Sequence, residues 1–306
     1  MILQDMNQIN QVLTDMVDAF HLLPIDAREF LYQKLTEDMA QLNNTSIYTF
    51  HIFKQFYDRA QRYGVSIPDA SILELGAGKP LGTGILWNLV GARKYTAIDR
   101  YNQMNINDLW LSRFKDIPGM NIFNPCSFNL DTVIKSTGEG TFIIDQERIS
   151  LIQGIFEHHH FAPGSFDLIY SNGALEHFAD MELQAKKMHE VLSPNGTMIH
   201  GIDLRQHNTD KVNGIDVNTS VEFLRYSPDE WAGLYPAGSY HYVNRLRSRD
   251  FQEIFRNAGF TIVENLATLT MDLDESVYSR IHPCFHSCSL EDLSTTGMLI
   301  VLRKGA

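Results

Sequence analysis

Two carboxylates flank a glycine turn, and their spacing predicts a binding site. The run Ser71-Ile-Leu-Glu-Leu-Gly-Ala-Gly-Lys-Pro-Leu-Gly-Thr-Gly84 places an apolar strand before the turn and a helix after it. Glycines let the backbone approach a ligand closely, and the helix amino terminus offers N–H groups. Glu74 stands two residues before Gly76, where it can pair with a cationic amino group. Asp99 closes the next strand, and its two oxygens can accept both hydroxyls of a ribose.

The glycine turn and the two carboxylates also allow other interpretations. A dinucleotide would use the same glycine turn and the same ribose contact. Glu74 disfavours that reading because its carboxylate would repel a pyrophosphate, and the sequence has no recognisable partner for hydride transfer. Asp99 has the plainer alternative of a solvated turn residue.

Further candidates for chemistry follow the fourth and fifth predicted strands. His177 could take a proton from a hydroxyl as a neutral imidazole, or it could simply cap the helix that follows. Asp203 could orient or stabilise a base, and Arg205 could bind a substrate carboxylate in a two-pronged contact. The alternative is that Asp203 and Arg205 pair with each other. His207 reaches the same edge of the sheet.

Two clusters have side chains of the kind that bind metals, but no metal site is predicted. Consecutive histidines on extended chain, as at His158 to His160, point to opposite sides and cannot readily meet one ion. The second cluster alternates along a straight segment and is spread over about 20 Å, so only a curled loop could close it. Its members are His282, Cys284, His286 and Cys288.

The elements that position these residues alternate between strands and helices, which is typical of a parallel sheet with crossover helices. We predict seven strands, at 71–75, 94–98, 149–153, 166–171, 196–202, 260–266 and 297–303. Helical periodicity before residue 65 predicts a cap or lid over residues 1–66. Residues 67–306 form the α/β domain, with insertions at about 101–148 and 208–247. In the lid, Phe50, Phe53, Phe56 and Tyr57 could wall a pocket, although their spacing favours core packing.

Composition excludes some functions. The chain of 306 residues has 25 basic and 37 acidic residues, a net charge of -12, with no basic patch for nucleic acid. No basic signal region and no apolar run of about 20 residues is present, which predicts a cytoplasmic protein without a membrane span. The cysteines are too few for a disulfide framework. A small-molecule substrate is expected, and a homodimer is left open.

A family resemblance adds to these residues. The run from Gly154 to His177, with Leu175-Glu-His177 at its end, resembles the third and fourth motifs of class I S-adenosylmethionine-dependent methyltransferases. This resemblance covers residues 68–303 and implies a Rossmann-like, seven-stranded, mostly parallel sheet. A narrower resemblance is to bacterial methyltransferases of surface-polysaccharide and secondary-metabolite gene clusters. It rests on Leu75-Gly-Ala-Gly-Lys-Pro-Leu81, Leu175-Glu-His177, His200-Gly-Ile-Asp-Leu-Arg-Gln-His207 and Asn244-Arg-Leu-Arg247.

The resemblance also implies a role for individual positions. Glu74, Gly76, Ala77 and Gly78 would hold the methionine part of the cofactor, and Asp99 its ribose. Phe156 and Glu157 would flank the adenine, while Ser171 and Asn172 would lie beside the sulfonium. Pro80 replaces a glycine of the family pattern, and Ile155 replaces an acidic residue that often contacts adenine.

The function expected from sequence is transfer of a methyl group from S-adenosylmethionine to a small or medium organic acceptor. An oxygen atom, of a hydroxyl or a carboxylate, is the favoured target. Two alternatives keep the cofactor: a lyase or cyclase that acts on S-adenosylmethionine itself, and a binding module without catalysis. The fold does not separate these, since function resides in the site.

Overall fold

The centre of the protein is a seven-stranded sheet in a computed structural model, which describes residues 45–78, 82–101, 134–138, 141–206, 221–239, 241–273 and 275–305. All seven predicted strands are present in it. Their bounds are β1 Ser71–Leu75, β2 Lys94–Asp99, β5 Ile149–Gln153, β6 Phe166–Asn172, β7 Leu192–Asp203, β8 Phe260–Thr270 and β9 Thr295–Lys304. The predicted α/β fold class is confirmed.

The order of the strands is β5-β2-β1-β6-β7-β9-β8. The first five are mutually parallel, and β9 runs antiparallel to both β7 and β8. Parallel strands bring their carboxyl ends to one edge of the sheet. From β1 the strands are added first on one side (β2, β5) and then on the other (β6, β7), and the turns after β1, β2, β5 and β6 meet at that edge.

Helices cover the sheet. The helix α1 (Thr45–Arg62) packs against α2 (Gly82–Leu89) and the sheet, and its Phe53 and Phe56 are fully buried. These aromatics therefore belong to the core, as their spacing favoured, and neither of them lines the cavity described below. On the other face lie α3 (Met181–Val191) and α5 (Ser248–Asn257). Residues 1–44 lie outside the described part, so a lid there stays a prediction.

The two predicted insertions are described only in part. In the first, β3 (Ile134–Gly138) and β4 (Thr141–Ile144) pair as an antiparallel hairpin that the sequence analysis did not predict. Residues 102–133 of this insertion lie outside the described part of the chain. In the second, a 3-10 turn (Glu222–Arg225) and α4 (Pro228–Leu234) pack around Trp231. The short helices α6 (Glu275–Tyr278) and α7 (Leu290–Ser294) contribute to the same cluster. Within the described residues, no helix is long and apolar enough to cross a membrane.

Candidate functional site

A cavity of about 700 Å³ opens at the carboxyl edge of the parallel strands. Its size is within the range of small-molecule and cofactor sites. Six of the residues predicted for the site line it, namely Gly76, Gly78, Asp99, Phe156, Glu157 and His177. The same wall includes residues that were not singled out from the sequence: Arg100, Tyr101, Gly173, Ala174, Phe178, Gln184, Ala237, Gly238, Ser239 and His241.

The turn after β1 needs glycine at two positions. Gly76 has a φ of 70°, and a Cβ built on it would lie 2.5 Å from the Cβ of Ala174. Gly78 has a φ of 63°, and a Cβ there would meet no atom within 4 Å. Glycine alone adopts such φ values readily. Gly76 therefore permits contact between two turns, while Gly78 exposes backbone to the cavity.

Asp99 closes β2 and holds the glycine turn. Its Oδ2 accepts from the backbone N–H of Gly78 at 2.9 Å, and its Oδ1 accepts from that of Tyr101 at 2.7 Å. Each carboxylate oxygen has two lone-pair sites, so both oxygens keep acceptor capacity. Since Asp99 also lines the cavity, it can accept from a ligand's hydroxyls while it fixes the turn.

Glu74, the other carboxylate of the predicted site, lies in the core and not on the cavity wall. Its side chain is buried, and its Oε2 accepts hydrogen bonds from the hydroxyls of Thr83 at 2.8 Å, Tyr95 and Tyr170. Burial raises the pKa of the Glu74 carboxyl, and these hydroxyl donors oppose that rise. Glu74 is not among the cavity-lining residues. In this structure it joins β1, β2, β6 and α2, and its contact with an amino group stays a prediction.

The turn after β5 forms one wall of the cavity. The ring of Phe156 is buried, with the Lys187 ammonium 5.2 Å from its centroid. Lys187 also donates to the backbone carbonyl of Glu157 at 2.8 Å. The Glu157 carboxylate accepts from the side-chain amide of Gln184. Two side chains of α3 thus hold this turn in place, and the turn contributes the Phe156 ring and the Glu157 carboxylate to the cavity wall.

Ser171 and Asn172 end β6 without lining the cavity. The Ser171 hydroxyl is fully buried and lies 2.8 Å from Nδ1 of His200, its register partner on β7. The imidazole of His200 stacks on Phe255 at 5.8 Å, and burial lowers its pKa to about 3. This pair is part of the core. The neighbouring Gly173 and Ala174 form the cavity wall instead. Ala77 is likewise buried outside the lining.

His177 lies on the cavity wall at the end of a 3-10 turn (Leu175–His177). Its Nδ1 is 2.6 Å from the backbone carbonyl oxygen of Tyr242. A carbonyl only accepts, so Nδ1 carries the proton and donates it. In the neutral ring the acceptor lone pair is then on Nε2. The second insertion thereby sets the tautomer of a histidine that follows β6.

Glu176, which the sequence analysis did not single out, lies in the same turn and is 1% exposed. Burial raises the pKa of its carboxyl to about 8, and the negative charge of Asp203 raises it further. Backbone N–H donors of Glu176 and Asp203 and the charge of Arg205 oppose this rise. A protonated carboxylic acid at neutral pH therefore lies one residue before His177.

Asp203 and Arg205, two of the residues predicted at the end of the fifth strand, are not among the residues that line the cavity. Arg205 donates to Asp203 through Nε at 2.9 Å and through Nη2 at 2.7 Å. The pairing alternative for Asp203 and Arg205 is the arrangement observed, and their catalytic roles stay predictions. His207 lies outside the described residues.

Two histidines of the second metal-like cluster have other contacts. His282 Nδ1 accepts from the backbone N–H of Cys284 at 3.2 Å, and His286 Nε2 lies 3.1 Å from the carbonyl oxygen of Ile281. In the part of the chain that is described, no group of three or more His, Cys, Asp or Glu side chains has the arrangement of a metal site.

Fold and cavity together define a class: an open α/β protein with a cavity at the carboxyl edge of its sheet, the edge at which proteins of this architecture bind their ligands. A family model described as a methyltransferase domain matches residues 48–265. The chain belongs to this methyltransferase domain family, so the predicted enzyme class is confirmed. S-adenosylmethionine, the cofactor predicted from sequence, is confirmed with it.

Solved structures give more distant likenesses. A S-adenosylmethionine-dependent methyltransferase from Mesorhizobium loti is 16% identical, with a TM-score of 0.44, over 81% of this chain and 97% of that one. A geranyl diphosphate C-methyltransferase from Streptomyces coelicolor is 11% identical, with a TM-score of 0.46, over 82% and 78% of the two chains. At these scores neither carries weight in the assignment, which rests on the family model. A search of curated proteins found no match.

The residues on the cavity wall fit this cofactor. Gly78 leaves open space where any other residue would place a Cβ, and Asp99 presents carboxylate oxygens with remaining acceptor capacity. Phe156 offers an apolar surface of the kind that purine rings contact. These features come from three different turns, after β1, β2 and β5.

Proposed function

We propose that this methyltransferase transfers its methyl group to an oxygen of a small or medium organic acceptor, with His177 as the general base. One observation carries the proposal. The Nδ1–H of His177 donates to the carbonyl oxygen of Tyr242 at 2.6 Å, which gives the neutral ring a basic Nε2 on a residue of the cavity wall. A hydroxyl acceptor needs such a base, because it must lose its proton to become an effective nucleophile.

The cofactor supplies an activated methyl group on a sulfonium. The chain itself binds and orients the two substrates and excludes water from them. Asp99 would hold the ribose, the turn at Gly76 and Gly78 would hold the methionine part of the cofactor, and Phe156 would pack on the adenine. Glu176, in the same turn as His177, has a buried carboxyl whose raised pKa of about 8 keeps it protonated at neutral pH.

The acceptor is proposed to be small because the cavity of about 700 Å³ must also contain the cofactor. The residues from the second insertion on this wall, Ala237 to Ser239 and His241, lie outside the family motifs named above. We assign acceptor recognition to them. A substrate from surface-polysaccharide or secondary metabolism agrees with the narrower sequence resemblance and with this size.

A pair of variants tests the role of His177. Asn places its amide nitrogen near the position of Nδ1, so His177→Asn can keep the bond to Tyr242 and lacks a base, whereas His177→Ala loses both. We expect kcat with hydroxyl acceptors to fall about a hundredfold or more in both variants, with unchanged affinity for S-adenosylmethionine. Full activity of His177→Asn, together with inactive His177→Ala, would show a capping role and refute the base.

Product analysis tests the acceptor atom. The purified enzyme is incubated with labelled S-adenosylmethionine and matched alcohols, carboxylates and amines of the same skeleton. Methyl esters or ethers are the expected products. Methylation of amines alone would overturn the proposal, and loss of cofactor without any acceptor, with release of methylthioadenosine, would favour a lyase instead.

A further inference from the structure

The cavity wall carries a guanidinium that the mechanism above does not use. Arg100 directly follows Asp99 at the end of β2, is exposed, and lines the cavity. Within the described ranges, no carboxylate lies within 4.0 Å of its guanidinium nitrogens. The arginine predicted from sequence to bind a carboxylate, Arg205, is instead neutralised by Asp203. Arg100 is therefore the better placed cation.

Two neighbours hold the guanidinium at this position. Its carbon lies 5.9 Å from the centroid of the Tyr101 ring, in the range of a cation–π contact. On the other side it approaches the backbone of Gly238, in the second insertion. A Cβ on Gly238 would lie 2.9 Å from Nη2 and 3.1 Å from Nη1 of Arg100. Gly238 also has a φ of 86°, so both backbone and space favour glycine there.

The two carboxylates on the same wall have other donors. Asp99 accepts from the backbone N–H groups of Gly78 and Tyr101, and Glu157 accepts from Gln184. An Arg–carboxylate pair inside the cavity is thus not formed by the described chain. A guanidinium presents its donors in a planar fork that matches the two oxygens of a carboxylate or phosphate.

We propose that Arg100, held between Tyr101 and Gly238, binds an anionic oxygen group of the acceptor, a carboxylate or a phosphate. The inference rests on the proposed function in taking this cavity as the acceptor site. Binding of the anion at Arg100 leaves a second group of the same molecule to face His177. The enzyme would then select acceptors that carry a negative charge in addition to the oxygen that is methylated.

Binding, measured by calorimetry, tests this without methyl transfer. The full chain is saturated with the demethylated cofactor and titrated with a panel of small aromatic and aliphatic carboxylates, each paired with its own amide. Phenyl phosphate and inorganic phosphate form the second arm, which distinguishes phosphate from carboxylate recognition. The variants are Arg100→Met, Arg100→Lys and, as a control, Arg256→Met, which removes an exposed arginine outside the cavity.

We expect at least one anion series to bind better than its neutral analogues, and Arg100→Met to weaken that series by about tenfold to a hundredfold. Neutral analogues should change less than about twofold, and Arg256→Met should match the unaltered protein. Arg100→Lys should retain only part of the affinity, because lysine keeps the positive charge but lacks the planar, two-pronged donor arrangement of the guanidinium.

A second variant separates geometry from charge. Gly238→Ala keeps the charge of Arg100 but places a methyl carbon 2.9 Å from its Nη2, so the guanidinium must shift. This variant should weaken the binding of the same anions and leave the binding of their amides unchanged. Equal binding of anions and amides, equal losses for both in Arg100→Met, or no binding of any anion would overturn the proposal. Weaker binding of the demethylated cofactor in Arg100→Met would also overturn it and assign the arginine to the cofactor. The proposed base is judged separately, by turnover.

Discussion

The side chain of Asn244 donates a hydrogen bond of 2.8 Å to the carbonyl oxygen of Leu175, the first residue of the turn that ends at His177. The same amide donates to the carbonyl oxygen of Phe178 at 3.1 Å, and the Asn244 backbone N–H donates to that of Glu176 at 2.7 Å. Asn244 therefore binds both ends of the turn, and it belongs to the Asn244-Arg-Leu-Arg247 motif.

The first prediction concerns Asn244 as a positioning residue. Asn244→Asp keeps the oxygen that accepts from the Leu246 N–H but loses both amide donors. We expect it to lower kcat about tenfold, with little change in the affinity for S-adenosylmethionine, since it moves His177 and leaves the glycine turn intact. Steady-state kinetics and calorimetry measure the two quantities.

Stability provides the check on Asn244. Two lost hydrogen bonds should lower the free energy of unfolding by about 1–3 kcal/mol, which denaturant titration measures. If Asn244→Asp lost stability and cofactor affinity but kept kcat, its role would be structural only.

The second prediction concerns Asp99. Asp99→Ala removes the acceptor for the Gly78 and Tyr101 N–H groups and for a ribose, so affinity for S-adenosylmethionine should fall by a factor of tens or more. Asp145 provides the control, because it accepts from the Glu147 N–H at 2.9 Å in a turn outside the cavity. Asp145→Ala should leave cofactor affinity unchanged in calorimetry. An Asp99→Ala variant that bound the cofactor normally would contradict the ribose contact.

The third prediction concerns the buried Glu176. Its folded pKa of about 8 lies above that of an unfolded glutamic acid, so the folded state holds its proton more tightly. The contribution of this proton to stability is complete below about pH 4.5 and is lost as pH rises towards 8. Between pH 5 and pH 7 the loss is about 2–3 kcal/mol.

Glu176→Gln should remove the loss of stability between pH 5 and pH 7, because the glutamine side chain does not titrate. The variant is expected to be more stable than the unaltered protein at pH 7, and thermal unfolding from pH 5 to 8 measures the difference. Glu182→Gln, on the exposed side of α3, is the matched control and should change nothing. Identical pH dependence in Glu176→Gln and the unaltered protein would show that Glu176 is not the titrating group.

The fourth prediction concerns His200 and has the opposite sign. Its folded pKa of about 3 lies below that of an unfolded histidine, so the unfolded state binds the proton more tightly. Stability is therefore lost as pH falls below about 6.5, by about 2 kcal/mol between pH 7 and pH 5. His200→Asn should be less stable at pH 7, since it leaves space beside Phe255, but its stability should vary less below pH 6.5. Acid unfolding at several pH values tests this, and a variant as acid-sensitive as the unaltered protein would contradict it.

Sequence alone determined the sheet and the glycine turn. Apolar runs bounded by glycine predicted seven strands, because a strand buried on both faces leaves a local pattern. Asp99 could be assigned to the site for the same reason: the residue that ends a parallel strand lies at the edge where ligands bind. Phe156 and Glu157 came from a motif of fixed spacing.

Only the tertiary structure decided where the remaining side chains point. Glu74 lies on the turn-bearing strand, yet alternation along β1 directs it towards the hydroxyls of Tyr95 and Tyr170, whose proximity depends on strand order. The contact of His177 with Tyr242 joins residues 65 positions apart. No local pattern predicts Arg100 as a site residue, because its nearness to Gly238 arises from the second insertion folding back on the sheet. Such contacts are set by packing between distant segments, which local patterns in the sequence do not record.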